Sequence, residues 1–392
     1  MRKIFRQENL YSIIWCLYYM QGILYPEGSM ISQGLLASFL LTSIYYFIKV
    51  LQFKHVHKVI KAMQYLAFMF GIYGLLRLSA NTLGWQYVNE ATIYFKEYEL
   101  SILPVFAYYY FAKVGKINSR WFYKMSFVFL LTAVASFYYQ QAQAMLKVDR
   151  DEVTNNAGYF VVSLLPLVVF LKKKALYQYL FLFLIFFLVV SGMKRGAIIV
   201  AVIGCAYFVW ESFKNAKGKR KLLYILLGVI VVVSGIMYFQ HQLATSDYMQ
   251  LRLQKTMDGD MSNREDMYPE YIGFYFNNAS PYEYLLGYGA DGTLKNMGDY
   301  AHHDWIETLM NQGMLGIILL LNYWCAIIVS AYRSFSMRCS NITIIIIIFL
   351  MTYLIKSMVS MSINGMTIFS TSALAYALAA MENPIIRKDL NN

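Results

Sequence analysis

Long apolar runs separated by short polar connections recur along the whole chain, near residues 10–25, 30–51, 59–79, 98–114, 121–140, 157–171, 175–191, 196–212, 222–240, 309–332, 342–358 and 363–381. Each approaches the roughly 20 residues a helix needs to cross the hydrocarbon core of a bilayer, and shorter runs can span where neighbouring helices shield them. The pattern predicts an all-α polytopic membrane protein of about twelve transmembrane helices, with residues 1–392 forming one integral domain. One interruption, residues 241–304, is far longer than the others and is expected to form a single large loop. No repeat of fixed period, low-complexity linker or second soluble domain is visible.

Composition agrees with the pattern: 59% of residues are hydrophobic, 17% aromatic and only 14% charged. Basic residues then orient the spans. Arg2, Lys3 and Arg6, Lys54 to Lys61, Lys113 to Lys124, Lys172 to Lys174, Lys214 to Lys221, Arg333 and Arg338, and Arg387 with Lys388 occupy every second connection. Acidic residues such as Glu90, Glu97, Asp149 and most of those in 241–304 fill the other set. The positive-inside rule therefore places both termini in the cytoplasm and the long loop outside. The net charge of +12 is an orientation signal, not a nucleic-acid footprint, because the lysines are spread over short loops. Met1-Arg2-Lys3 leads into an apolar run without a small-residue cleavage pattern, which reads as an uncleaved first span. Cys16, Cys205, Cys325 and Cys339 show no CxxC spacing, so neither a disulfide framework nor a zinc site is expected. Arg77 and Lys356 read as snorkelling anchors at the membrane boundary, and many tyrosines as interfacial belt residues.

Within the long loop, Tyr248, Leu251, Leu253 and Met257 suggest a short amphipathic helix on the membrane surface, with Arg252 and Lys255 near its polar side. Ser262-Asn263-Arg264-Glu265-Asp266 reads as a helix start, which places Arg264 beside a terminus that already favours anions. Gly287 to Gly292 formally matches G-x-G-x-x-G, but without a preceding strand or a βαβ unit it reads as a glycine-rich turn. The loop closes on His302-His303-Asp304. If a helix already runs from Ala301, the two imidazoles point about 100° apart and only one can serve a given target. A metal reading through His303, Asp304 and Glu307 has helical spacing but no third strong ligand at matching spacing, and no metal is expected. Interfacial histidines bonded to backbone or water are the plain alternative.

The stretch from Ala301 to Gly316 resembles the signature of the O-antigen ligase and polymerase superfamily. His302-His303-Asp304-Trp305-Ile306 precedes Gln312-Gly313-Met314-Leu315-Gly316 as the family's histidine precedes its glycine-flanked entry into a span. Ser191 to Ala197 is similar to its Ser-x-Ser-Arg-Gly turn, Ser262-Asn263-Arg264 to its second arginine motif, and Leu286 to Gly289 to its Gly-x-Gly turn. The likeness covers about residues 155–320. It departs at His303, where Asn or Ser is usual, and at Met193-Lys194, where smaller residues precede the arginine.

The resemblance implies a metal-independent, inverting glycosyltransferase of GT-C-like helical fold in the bacterial inner membrane, without a cofactor, working at the periplasmic face on an undecaprenyl-diphosphate-linked oligosaccharide. That chemistry needs cations to hold a diphosphate and a base to take a proton from an acceptor hydroxyl. Arg195 and Arg264 are the candidate diphosphate ligands, since a guanidinium binds phosphate oxygens bidentately and stays charged. His302 is the candidate base, its pKa lowered by nearby arginines and partial burial. His303, Asp304 and Arg252 are candidate supporting residues; Asp304 and Glu307 read either as carboxylates that orient the base or as solvated helix residues. A polymerase would join lipid-linked repeat units, and a ligase would pass the same glycan to lipid A core. A chain-length regulator and a flippase of the same pathway are expected partners. A twelve-span transporter is the reading from another class; against it, the halves show no similarity and the spans show almost no ionisable residues to bury.

Overall fold

The computed structural model describes residues 6–80, 86–146, 157–171, 175–215, 218–245, 250, 254 and 264–391, and among these there is no β-strand. The first nine helices are α1 (Gln7–Tyr19), α2 (Met30–Leu51), α3 (Lys58–Ala80), α4 (Gln86–Lys113), α5 (Ser119–Leu146), α6 (Ala157–Val162), α7 (Ala175–Ser191), α8 (Arg195–Asn215) and α9 (Lys219–Thr245), with a 3-10 segment (Leu165–Leu171) after α6. Three short helices follow, α10 (Arg264–Asn278), α11 (Pro281–Leu286) and α12 (Gly292–Met297). The chain then returns to the bundle with α13 (Asp304–Ser336), α14 (Ser340–Val359), a 3-10 turn (Ile363–Gly365), α15 (Ile368–Glu382) and α16 (Pro384–Asn391).

Helical structure stands over every apolar window of the sequence. Among the described residues, six helices are long and apolar enough to cross a membrane: α2, α3, α5, α8, α13 and α14. Residues 157–171, α7, residues 225–241 of α9, and α15 are apolar but shorter. Large aliphatic side chains lie open on the outside of the bundle, including Leu41, Leu75, Leu131, Leu222, Leu226 and Met237. Water does not tolerate so continuous an apolar exterior, and lipid does. The protein is therefore a helical membrane protein.

Helix α4 is the axis of the N-terminal half. It packs on α2, α3, α15 and the 363–365 turn, and Ile102, Val105, Phe106, Ala107, Tyr108 and Tyr109 are fully enclosed. At one end of the bundle, Trp121 donates to Asn9, the Ser119 amide donates to Asp389, and Lys113 pairs with Glu382 at 2.8 Å. The described ends of the chain, α1 and α16, thus share one end with the basic α4–α5 connection, as the alternation of basic residues predicts. The four cysteines are unbridged.

Two sequence expectations change. Ionisable side chains are more common inside than the hydropathy suggests: Glu8, Glu99, Asp304, Glu307 and Lys356 are all buried. A window average hides single charged residues whose partners come from distant segments. Arg77 is not a lipid-facing anchor, because its guanidinium lies 3.8 Å from the Asp291 carboxylate with only 10% of its side chain exposed. Together with the Tyr73 hydroxyl, which donates to the Leu286 carbonyl, this contact clamps the glycine-rich turn to the end of α3.

Residues 264–303 form a cap at the end opposite the described chain ends. It has its own small core, in which Tyr271, Tyr275 and Ala301 pack against Ile306 and Met310 of α13. Helix α13 receives the cap by bending: Gly313 leaves the helix at φ 64, ψ −158. The Tyr288 and Gly289 amides donate to the Met310 and Asn311 carbonyls in that bend, at 2.8 and 3.0 Å. Gly287, at φ 73, lies so close that an added Cβ would overlap the Asn311 and Gln312 backbone. The Gly-x-Gly turn is therefore a backbone clamp on a kinked helix. Gly287→Ala is expected to cost about 3 kcal/mol, combining left-handed strain with a backbone collision. A thermal inactivation midpoint equal to wild type would show that the clamp is dispensable.

Candidate active site at the capped mouth

Three segments far apart in sequence meet under the cap. The first is the turn between α7 and α8. Ser191 Oγ bonds the Phe187 carbonyl at 2.8 Å and the Tyr238 hydroxyl at 2.6 Å, and Met193 takes a left-handed φ of 52. This reversal sets Lys194 and Arg195 at the N-terminus of α8, where the helix dipole favours an anion. Gly158 of α6 packs against Ala197 and the Lys194 Cβ, which brings α6 close to that terminus.

The second segment is Arg264, the first described residue of α10. Its charge acts on His302, His303, Tyr159 and Tyr268, and it hydrogen-bonds Tyr268 one turn later. The third is the entry to α13. The helix begins at Asp304, with His303 as its N-cap residue and His302 held at φ 51. The helix does not reach back to Ala301, because a left-handed residue cannot continue a right-handed one. Histidine tolerates this conformation better than most side chains, and strain of this kind concentrates at functional sites.

The two histidines have different surroundings. His302 is exposed at the mouth, whereas the His303 ring meets the Tyr268 ring edge-on at 5.1 Å. His303 Nδ1 is buried with no hydrogen-bond partner among the described residues. Both imidazoles are held below their ordinary pKa, chiefly because the surrounding protein desolvates the cation and then because Arg264 repels it. For His302, Lys194 adds to the lowering and Asp299 opposes it. The carboxylate that acts on His302 is thus Asp299, three residues upstream, which the sequence reading did not single out.

The Asp304 and Glu307 carboxylates are buried, and their hydrogen bonds go to partners other than the imidazoles. The Asp304 carboxylate accepts the Ser362 amide at 2.9 Å, the Ile363 amide at 3.2 Å and the Ser362 hydroxyl, pinning the 360–365 segment to the start of α13. Glu307 accepts the Ala301 amide at 2.6 Å and the Asn311 side-chain amide at 3.3 Å, closing the loop that carries the histidines. Both act as staples that tie separate backbone segments to the start of α13. Arg252, Ser262, Asn263 and most of the expected amphipathic segment lie outside the described residues.

Lys356 is the residue that sequence reasoning misread. It lies near the end of α14, 7% exposed, with Nζ 4.9 Å from the centre of the Tyr159 ring and against Gly365. It is within electrostatic reach of Asp304 and Lys194. A lysine at the end of an apolar run looks like an anchor, and only the fold turns it inward. Lys194, next to Arg195, is within electrostatic reach of both His302 and Lys356. Arg195 is half-buried on the first turn of α8.

The fold and mouth define a class: a polytopic helical membrane protein in which cationic and histidine side chains gather under a cap at one end of the bundle. The O-antigen ligase family matches residues 180–321, from within α7 to the middle of α13, so this part of the chain is a domain of the O-antigen ligase and polymerase superfamily. The matched region contains Lys194, Arg195, Arg264 and His302, whereas Tyr159 and Lys356 lie outside it. No curated protein matches the chain significantly.

Proposed function

We propose that this protein is a polysaccharide polymerase that transfers a glycan from a polyprenyl diphosphate to a sugar hydroxyl of the next lipid-linked repeat unit. Members of the matched family are glycosyltransferase-like enzymes. The observation that carries the reading is the meeting of Lys194 and Arg264 at His302, beside the start of α13, where desolvation and these two cations disfavour the charged imidazole, with Lys356 within electrostatic reach of Lys194 and Asp304.

Each part has a role in this chemistry. The acceptor hydroxyl gives its proton to His302 as its oxygen attacks the anomeric carbon from the face opposite the leaving group, so the anomeric centre inverts. The bond from that carbon to the diphosphate oxygen breaks, and the departing charge is taken up by the guanidinium of Arg264 and the ammonium groups. Arg195 adds a cation at the first turn of α8. With this many fixed cations the leaving group is neutralised without a divalent metal. His303, packed on Tyr268, positions the loop that carries His302. The setting for this reading is the bacterial inner membrane, with about twelve spans in a GT-C-like arrangement, cytoplasmic termini and a periplasmic cap. An undecaprenyl carrier is the expected donor lipid, and a chain-length regulator and a flippase are the expected neighbours in the pathway.

The description of the matched family as O-antigen ligase favours a second reading, transfer of the same glycan to lipid A core. Donor, cations and base are shared, and only the acceptor differs. No observation favours a transporter: Lys356 sits at the mouth beside Asp304 instead of at mid-span. Gel analysis of surface and lipid-linked glycan from cells with and without the gene separates the two transferases. A deletion strain bearing single repeat units on the final carrier supports the polymerase. Full-length polymer left on the polyprenyl lipid establishes the ligase, and an unchanged glycan profile overturns both.

A further inference from the structure

A second polar space lies at the same end of the bundle, behind the 360–365 segment that covers Lys356. It is a cavity of about 250 Å³ between the end of α1, the turn before α2, α4, the end of α5, and Asn364. Its chemistry is the reverse of the mouth: Glu27 and Glu97 contribute carboxylates, Tyr18, Tyr19 and Tyr139 contribute rings and hydroxyls, and among the described residues no lysine or arginine lines it.

The wall between the two spaces is the 360–365 segment. Asn364 donates to Glu97 at 3.3 Å, and its carbonyl accepts from Ser101 at 2.6 Å. On the other side of the segment, Ser362 holds Asp304 and Gly365 covers Lys356 Nζ. One short stretch of chain is thus built at once into the cationic mouth and the acidic cavity. The cavity is also held in shape from outside, since the Tyr139 hydroxyl donates to Glu27 and the Ser32 hydroxyl donates to Gln21.

We propose that this cavity is a carbohydrate subsite that seats the terminal sugar of the acceptor glycan; the proposal rests on the transferase reading above. Two carboxylates repel a diphosphate and mark the space for an uncharged or amino sugar, whose hydroxyls donate to carboxylates and amides. Tyrosine rings supply flat amphipathic surfaces suited to the alternating apolar and hydroxylated faces of a pyranose. The volume is somewhat below the roughly 300 Å³ at which pockets for drug-sized ligands begin, so it suits one sugar ring and not a whole repeat unit. The lining comes from α1, the α1–α2 connection, α4, α5 and residue 364, all outside residues 180–321. The chemistry would then reside in the family-matched part of the chain and the choice of acceptor in the unmatched part.

Purified protein in lipid nanodiscs, supplied with lipid-linked repeat unit isolated from a strain lacking this gene, tests the assignment. Glu97→Gln and Tyr139→Phe are close to isosteric, and equal thermal midpoints verify that both variants fold. The expected result is a rise of about tenfold or more in KM for the acceptor in Glu97→Gln, the scale of one lost hydrogen bond to a charged group, with a smaller rise in Tyr139→Phe. Wild-type acceptor KM in both variants, with wild-type protein active, overturns the cavity assignment and leaves the transferase reading standing. Wild-type protein that consumes no lipid-linked glycan overturns both.

Discussion

His302→Ala is expected to lower the rate of glycan transfer by about 10²- to 10⁴-fold, the usual contribution of a positioned general base. His303→Ala is expected to cost far less, because the His303 ring packs on Tyr268 whereas His302 is exposed at the mouth. Single-turnover transfer assays on the two variants compare them directly. Full loss in His303→Ala with an active His302→Ala protein would move the base by one position. The pH profile gives a second readout. The base works as neutral imidazole, and burial together with Arg264 and Lys194 disfavours the cation, so the group keeps its base form to lower pH than an ordinary histidine. The acid limb of the rate profile should therefore lie below 6.5, with activity falling as pH drops through it. Removing the Arg264 charge takes away one cause of the lowering, so in Arg264→Gln the limb should move upward toward 6.5.

Arg264→Ala is expected to reduce kcat by about 10²- to 10³-fold, the scale seen when one preorganised group that stabilises developing negative charge is lost. Arg264→Lys keeps the charge but not the planar fork, and should recover only part of the rate. Lys356→Met tests the cation that the fold adds to the site. It keeps a long unbranched side chain and removes a buried charge, while Asp304 retains its bonds to Ser362 and Ile363. The protein should stay folded and lose about 10²-fold in kcat/KM. Wild-type transfer by Lys356→Met would return this lysine to a structural role, and wild-type transfer by Arg264→Ala would remove the diphosphate assignment.

Much of the site was legible because its residues sit in local patterns. The left-handed turn around Met193, the start of α10 at Arg264, the glycine pair at 287–289 and the histidines before a long apolar run each announce a change of chain direction within a few residues. What those patterns could not carry was partnership. Asp304 and Glu307 have the spacing of one helix face, yet one reaches forward to Ser362 and the other back to Ala301. Asp299 was overlooked because nothing in a loop sequence says which way a carboxylate will face. Arg77 and Lys356 look alike at the ends of apolar runs, and the fold assigns them separate partners.

The sequence by itself determined the helical membrane class, the order of the apolar segments, the alternation of charge between connections, and a family resemblance over about residues 155–320, of which the family match covers 180–321. These follow from hydrophobicity over windows about as long as a membrane is thick, and from short motifs that fix backbone direction. Only the tertiary structure decided that Lys194 comes within electrostatic reach of His302, that Lys356 turns inward beside Tyr159, and that Gly287 is a clamp on the α13 bend. The same holds for the acidic cavity, which α1, α4 and α5 enclose against residue 364. Each of these depends on contacts between segments up to hundreds of residues apart, and the packing of one helix against another is set by shape and charge that no local window of sequence contains.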